Sequence, residues 1–175
     1  MQRQYTGTAG RTENAQVAVY LAYAAPAGSA FIDRALYLPQ SWTGDAARCR
    51  GRRVPRDTAF ATKPALATEM ITRVLDAGTP AGWVTGDEVY GQDPKLRAEL
   101  ACRGLGYVLA IRKSDLVLTP TGPLQARKLA KRLPVRAWQR ISAGPDAKDP
   151  RWYDRALNRG LRPRGHRRRR PRTGC

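Results

Sequence analysis

The residues best placed to do chemistry lie in one run, Gly82-Trp83-Val84-Thr85-Gly86-Asp87-Glu88-Val89-Tyr90-Gly91. Residues 81–86 form a short apolar segment that reads as a buried strand, and Asp87 stands at its end. A tight, Gly-flanked turn follows, and then a helix that opens at Asp93-Pro94. In open α/β sheets, ligands bind beyond the carboxyl ends of parallel strands. A carboxylate there is held by a rigid strand yet points into a crevice. Two-metal phosphoryl transfer wants carboxylates in that position, because Mg2+ is a hard cation that takes oxygen ligands. Such ions lower the pKa of an attacking water or 3′-hydroxyl and offset charge on the departing oxygen. The same spacing suits a plainer role, with Asp87 and Glu88 as turn or cap residues and Tyr90 and Gln92 as surface polar groups. A self-contained metal cluster of Asp87, Glu88 and Asp93 is a third arrangement. Adjacent side chains at 87 and 88 diverge, however, and Asp93 is better placed as an N-cap.

The elements that must position this run can be read around it. Residues 1–14 are polar and rich in Gly and Thr, which reads as loop. Residues 15–24 and 30–38 read as two strands, joined by a turn at Pro26-Ala27-Gly28-Ser29 into a hairpin. On the second strand Ile32, Leu36 and Leu38 share one face, and Phe31, Ala35 and Tyr37 the other. Residues 40–57 read as loop with a helical turn near Asp45–Cys49. Residues 63–77 form the strongest helix, with Leu66, Met70, Val74 and Ala67, Ile71, Leu75 at helical spacing and Gly78 as its stop. The spacing then predicts a helix over 94–103, a buried strand over 106–111 and a basic amphipathic helix over 123–133. Residues 134–160 show little periodicity. Strand, helix and strand in the latter half imply a parallel pair with a right-handed crossover. The expected fold class is therefore α/β, a mixed sheet made of an antiparallel hairpin and a parallel βαβ unit with flanking helices. RNase H-like folds have this arrangement, and so do others.

Charge is the loudest global signal. The chain of 175 residues carries 32 Lys plus Arg against 14 Asp plus Glu, a net +18. This favours polyanionic partners, nucleic acid first. Half of the excess sits in residues 155–175, which hold nine arginines and no acidic residue. That tail cannot bury a core and is expected to be disordered. It reads as a DNA-binding arm or as out-of-frame translation of a GC-rich gene. The body, residues 1–154, is basic in its own right. Arg127, Lys128, Lys131 and Arg132 on the 123–133 helix are candidate phosphate contacts, or a plain solvated helix face. Cys49, Cys102 and Cys175 form no CxxC pair and His166 is the one histidine, so a structural zinc site has too few ligands and free thiols are expected. Every apolar run is interrupted before the length of a membrane span, and no secretory signal opens the chain. A cytoplasmic protein is expected.

Five segments carry a family resemblance: QRQYTGTAGRTENAQVAVYLAYA, IDRALYLPQSW, FATKPALATEM, GWVTGDEVYGQDPKLRAELACRGLGYVLAIR and KRLPVRAWQRISAGPDAKDPRWYD. Together they span residues 2–154 in order. They resemble insertion-sequence transposases of the DDE superfamily, which are RNase H-like endonucleases. The resemblance implies metal-dependent DNA cleavage and strand transfer in DNA transposition and recombination, with Mg2+ or Mn2+ as cofactor and DNA as partner. It places the second catalytic Asp, a metal ligand, at Asp87, with Glu88, Tyr90 and Gly91 in its flanking motif. In such proteins the first Asp lies on a strand just before the opening segment and the catalytic Glu lies well downstream. Neither has a counterpart here, and Glu69 and Glu99 match other parts of the pattern. The expectation is a partial RNase H-like catalytic domain over 1–154, truncated at both ends and inactive alone, with doubtful metal binding. Loss of a central strand would leave unpaired edges and a marginal fold. The competing reading is a non-enzymatic basic DNA-binding protein that modulates a full-length transposase. Neither a membrane nor a small-molecule substrate is expected as partner.

Overall fold

The polar opening of the chain is not a loop. In the computed structural model, which describes residues 2–7, 9–145 and 150–156, Gln2–Thr6 (β1) and Arg11–Ala15 (β2) pair antiparallel, Gln2 opposite Ala15 and Thr6 opposite Arg11. The strands were hidden in the sequence because their more protected face carries Gln2, Gln4 and Thr6 rather than apolar residues. The turn is tied by Thr6, whose buried hydroxyl accepts from the Ala9 N–H at 3.3 Å.

The expected hairpin follows as Val17–Ala25 (β3) and Gly28–Tyr37 (β4). A register shift lies between Leu21, opposite Asp33, and Ala22, opposite Phe31. It corrects the expected facing. Phe31 moves from the side of Ala35 and Tyr37 to the side of Tyr20, and the two rings meet at 5.3 Å between centroids. Tyr20, Phe31 and Leu36 stay exposed there, while Val19 on the opposite face is buried.

Two short helices, Gln40–Thr43 (α1) and Ala46–Gly51 (α2), lead to the long helix Lys63–Asp76 (α3). The α3 start is set by Thr62, whose hydroxyl accepts from the Ala65 N–H, with Pro64 in the first turn where no N–H is needed. Its buried stripe is Ala67, Met70 and Ile71. Ala67 and Met70 pack on Val19 of β3, with Leu21 and Ala35 around them. Arg73 grips Asp33 of β4 at 2.6 Å. That ion pair, first through its hydrogen bond, holds the Asp33 carboxyl below its ordinary range.

Beyond α3, Trp83–Gly86 (β5) leads through Glu88–Gly91 (α4) and Pro94–Cys102 (α5) to Gly106–Leu109 (β6). β5 and β6 pair in parallel, Trp83 opposite Gly106 and Gly86 opposite Leu109. Ile71 of α3 packs with Leu96 and Leu100 of α5, and Leu75, Val84, Leu105 and Leu109 close around them. Arg103 bridges Asp76 and Glu99 at 2.6 Å each, tying the end of α3 to α5. The antiparallel hairpin and the parallel pair are thus both present, but not as one mixed sheet. Each forms its own two-stranded sheet, as does every sheet among the described residues. No described strand bridges β3 and β5; residues of both pack against α3 instead. Every described strand therefore keeps an unpaired edge.

These elements form one unit, Met1–Ala110; the second is Ile111–Cys175. It opens with a hairpin that was not expected, Leu116–Thr119 (β7) and Gly122–Gln125 (β8). The buried Thr119 hydroxyl closes its turn by donating to the Gly122 carbonyl at 2.7 Å. The basic helix is Ala126–Arg132 (α6), shorter than expected, because Leu124 belongs to β8 opposite Val117. After a 3-10 turn at Val135–Ala137, Trp138–Pro145 (β9) and Pro150–Ala156 (β10) pair antiparallel where the sequence shows little periodicity. The expectation of a disordered tail falls, beyond Ala156, outside the described residues. Cys49 is a half-buried free thiol 3.1 Å from the Trp42 carbonyl. Among the described residues no helix is long and apolar enough to cross a membrane.

Candidate functional site

Asp87 is placed by the parallel pair. The ladder runs to the very end of β5, where the Ala110 N–H donates to the Gly86 carbonyl at 2.9 Å. Asp87 is the next residue. Its backbone is extended and its side chain caps α4, with Oδ1 accepting from the Val89 N–H at 2.8 Å. The carboxylate is exposed at the carboxyl end of a parallel strand. Both sequence readings of Asp87, strand-end carboxylate and cap, hold at once: one oxygen fixes the helix start while the side chain faces solvent.

The turn is locked from both sides. A methyl group on Gly86 would lie 3.1 Å from a Leu109 methyl and 3.3 Å from the Tyr90 ring. One on Gly106 would lie 2.6 to 2.8 Å from three atoms of the Trp83 indole. A side chain at Gly86 would have to press Leu109 and Tyr90 aside by a few tenths of an ångström, and one at Gly106 would displace the exposed Trp83 indole. Tyr90 is not the surface polar group that its sequence context suggested. It is half-buried and packs against both apolar clusters beneath α3. Burial, and second the negative charge of Asp87, push its phenol above the ordinary tyrosine value. The signal that could have found it is position: an aromatic one helical turn after a strand-end cap points back toward the core.

The remaining candidates do not converge on Asp87. Glu88 is exposed in the first turn of α4. Asp93 caps α5, its Oδ1 accepting from the Leu96 N–H at 2.7 Å, as its spacing indicated. Glu99 is held by Arg103, and Glu69 is exposed on α3. Among the described residues no group of three or more His, Cys, Asp or Glu side chains is close enough to hold a metal ion. A two-metal centre needs several carboxylate oxygens around each ion. The described residues therefore do not fit a complete centre, and the cluster of Asp87, Glu88 and Asp93 is not one. In the second unit Arg127, Lys128, Lys131 and Arg132 are all exposed on α6, while Leu129 and Ala130 turn inward. Arg127 donates from Nε to the Gln125 side chain at 3.1 Å.

Comparison with known proteins gives one result. A family model described as DDE superfamily endonuclease matches residues 1–169. No curated protein and no solved structure gives a match. A strand-end carboxylate on a parallel pair, in a strongly basic chain that the family model covers nearly throughout, leads to one assignment: the chain belongs to the DDE superfamily endonuclease family.

Proposed function

We propose that this chain is a DNA-directed member of that family which supplies one carboxylate, Asp87, to a metal-dependent phosphoryl-transfer centre and does not complete the centre alone. Family membership implies endonuclease or transposase chemistry on DNA and a divalent metal. The observation that carries the reading is the position of Asp87, exposed beyond the carboxyl end of β5 in a turn packed closely at Gly86 by Leu109 and Tyr90. On this reading residues 1–154 are part of an RNase H-like catalytic domain from an insertion-sequence transposase. The hairpin β3–β4, helix α3 and the parallel pair β5–β6 are its recognisable pieces.

A bound Mg2+ or Mn2+ would activate the attacking oxygen and neutralise charge on the leaving one. The contribution of this chain is to fix Asp87. Its cap bond to Val89 sets the side-chain rotamer, and Tyr90 anchors the turn from below. On this reading Asp87 is the one member of the catalytic set among the described residues. The chain acting by itself is therefore expected to bind DNA without cutting it.

The second reading, a non-enzymatic DNA-binding protein that modulates a full-length transposase, is favoured by the exposed Arg127, Lys128, Lys131 and Arg132 on α6. Neutralising four phosphates would make log K fall with log salt at a slope near −3.6, from about 0.9 per phosphate. Anisotropy titration of a labelled duplex at several salt concentrations tests both readings. Each expects binding that weakens as salt rises. Absence of binding, or affinity indifferent to salt, contradicts them.

A further inference from the structure

Three helices of the first unit end in the same hydrogen-bonded cap. In α3 the Gly78 N–H donates to the Leu75 carbonyl and the Thr79 N–H to that of Val74. In α5 Gly104 and Leu105 do the same to Ala101 and Leu100. In α2 Arg53 donates to Arg50 at 3.1 Å and Val54 to Cys49 at 3.0 Å. This cap requires its first residue beyond the helix to take a left-handed backbone, which glycine adopts without strain. Gly78 and Gly104, at φ 84 and 71, satisfy that requirement. Arg53 sits in the same place at φ 55, the one non-glycine with positive φ among the described residues. A guanidinium is thus held where the fold alone favours glycine, and such an outlier points to a use for the side chain.

Arg53 is not isolated. Arg48, Arg50, Arg52, Arg53 and Arg56 fall within nine residues, and all are exposed. Their five positive charges outnumber the two acidic residues that flank them, Asp45 and Asp57. Asp45 is spent as the α2 cap, accepting from the Arg48 N–H at 2.9 Å, and Asp57 forms no ion pair with Arg50, Arg52, Arg53 or Arg56. The platform beneath is fixed. The Arg48 guanidinium stacks 4.1 Å from the centre of the buried Trp42 ring, and the Cys49 thiol donates to the Trp42 carbonyl. Arg52 also lines a cleft of about 540 Å³ beside the amide side chains of Gln2, Gln4 and Asn14. Cations at a helix C-terminus do favour the helix dipole. That accounts for Arg50 and Arg52. It does not account for Arg56, five residues past the helix, or for preferring Arg53 over glycine.

We propose that α2 and the turn after it form a docking surface for the phosphate backbone of DNA, built from residues other than Asp87 and the basic residues of α6. The proposal rests on the DNA-directed reading and deepens it. Arginine suits this partner because its planar fork meets phosphate oxygens in pairs. A rigid stretch of guanidiniums also fixes the position of a duplex without reading its sequence.

The test compares the full chain with two variants on an arbitrary labelled duplex across a salt series. One carries Arg50→Gln, Arg52→Gln, Arg53→Gly and Arg56→Gln. The other carries glutamines at the four basic positions of α6. At about 0.9 per phosphate contact, the first variant is expected to flatten the slope of log K against log salt by roughly 2 to 3.6. Flattening by less than about 1 overturns the proposal, and if the α6 variant alone loses its slope the DNA-directed reading survives that failure. A parent chain that does not bind duplex at all overturns both. The single change Arg53→Gly separates ligand from structure. It should weaken binding while leaving the melting temperature equal or higher, and a lowered melting temperature with unchanged binding assigns Arg53 to the fold instead.

Discussion

Replacing Leu100 by alanine should destabilise the first unit by about 3 kcal/mol. Leu100 has no exposed surface and lies in a cluster with Ile71 and Leu96, enclosed by Leu21, Leu75, Val84, Tyr90, Leu105 and Leu109. Truncation removes the transfer free energy of the lost carbons and leaves a cavity that these neighbours cannot fully close. Buried Leu-to-Ala changes of this kind cost about 2 to 5 kcal/mol. A loss of about 3 kcal/mol is about a 150-fold loss in the folding equilibrium. It is a large share of the 5 to 15 kcal/mol that typical domains possess. Only seven apolar side chains are buried among the described residues, so little else can compensate. The assay is urea denaturation followed by circular dichroism, with Leu118→Ala as comparison. Leu118 is 72% exposed, and its truncation should change stability by less than about 0.5 kcal/mol. A loss below about 1 kcal/mol for Leu100→Ala, or equal losses for the two, would refute the argument that the α3–α5 cluster holds this unit together.

Two further outcomes follow from charge. The Asp33 carboxyl is held below its ordinary value by Arg73, so its contribution is complete above the unfolded pKa near 4 and is lost as pH falls through the lower folded value. Arg73 is mostly exposed, which limits the pair to roughly 0.2 to 1 kcal/mol. Melting curves taken downward from pH 5 should therefore show Asp33→Asn converging with the parent, and a constant gap would exclude the pair as the cause. The Tyr90 phenol titrates above the ordinary value, so the native state loses stability as pH rises past about 10 and through the folded value. Asp87→Asn removes the negative charge that adds to this shift. Ultraviolet difference titration should then show the Tyr90 transition moving to lower pH, and no movement would separate Asp87 from Tyr90 electrostatically.

How much of this was legible depended on where apolar periodicity and cap chemistry coincide. The long helix showed its stripe of Ala67, Met70 and Ile71, its first-turn Pro64 and its Gly78 stop, and it formed within a residue of the expected bounds. The start of α5 was written in Asp93-Pro94. The β3–β4 hairpin was legible as strands and turn, but not in its facing. One register shift reverses every side chain beyond it, and nothing in the Leu21 to Phe31 segment announces the shift. The hairpins β1–β2, β7–β8 and β9–β10 were missed for a different reason. They are two-stranded ribbons, largely exposed, whose alternation is polar or mixed, so burial never imprinted a pattern on them. At the site, the strand-end position of Asp87 was readable from an apolar run stopping at a carboxylate. The anchoring of Tyr90 and the tight packing at Gly86 and Gly106 arise from residues brought together only by the fold. The arginines after Asp45 were visible as polar loop, and only their shared cap geometry sets Arg53 apart.

On the proposed reading this family member positions Asp87 without completing a metal centre among the described residues. The most direct measurement is nicking of supercoiled plasmid by the purified chain in Mg2+ and in Mn2+, against Asp87→Ala and against chelator. Equal background is expected in all three. Cleavage that requires metal and disappears in Asp87→Ala would contradict it, because it would mean that other carboxylates of this chain gather around Asp87.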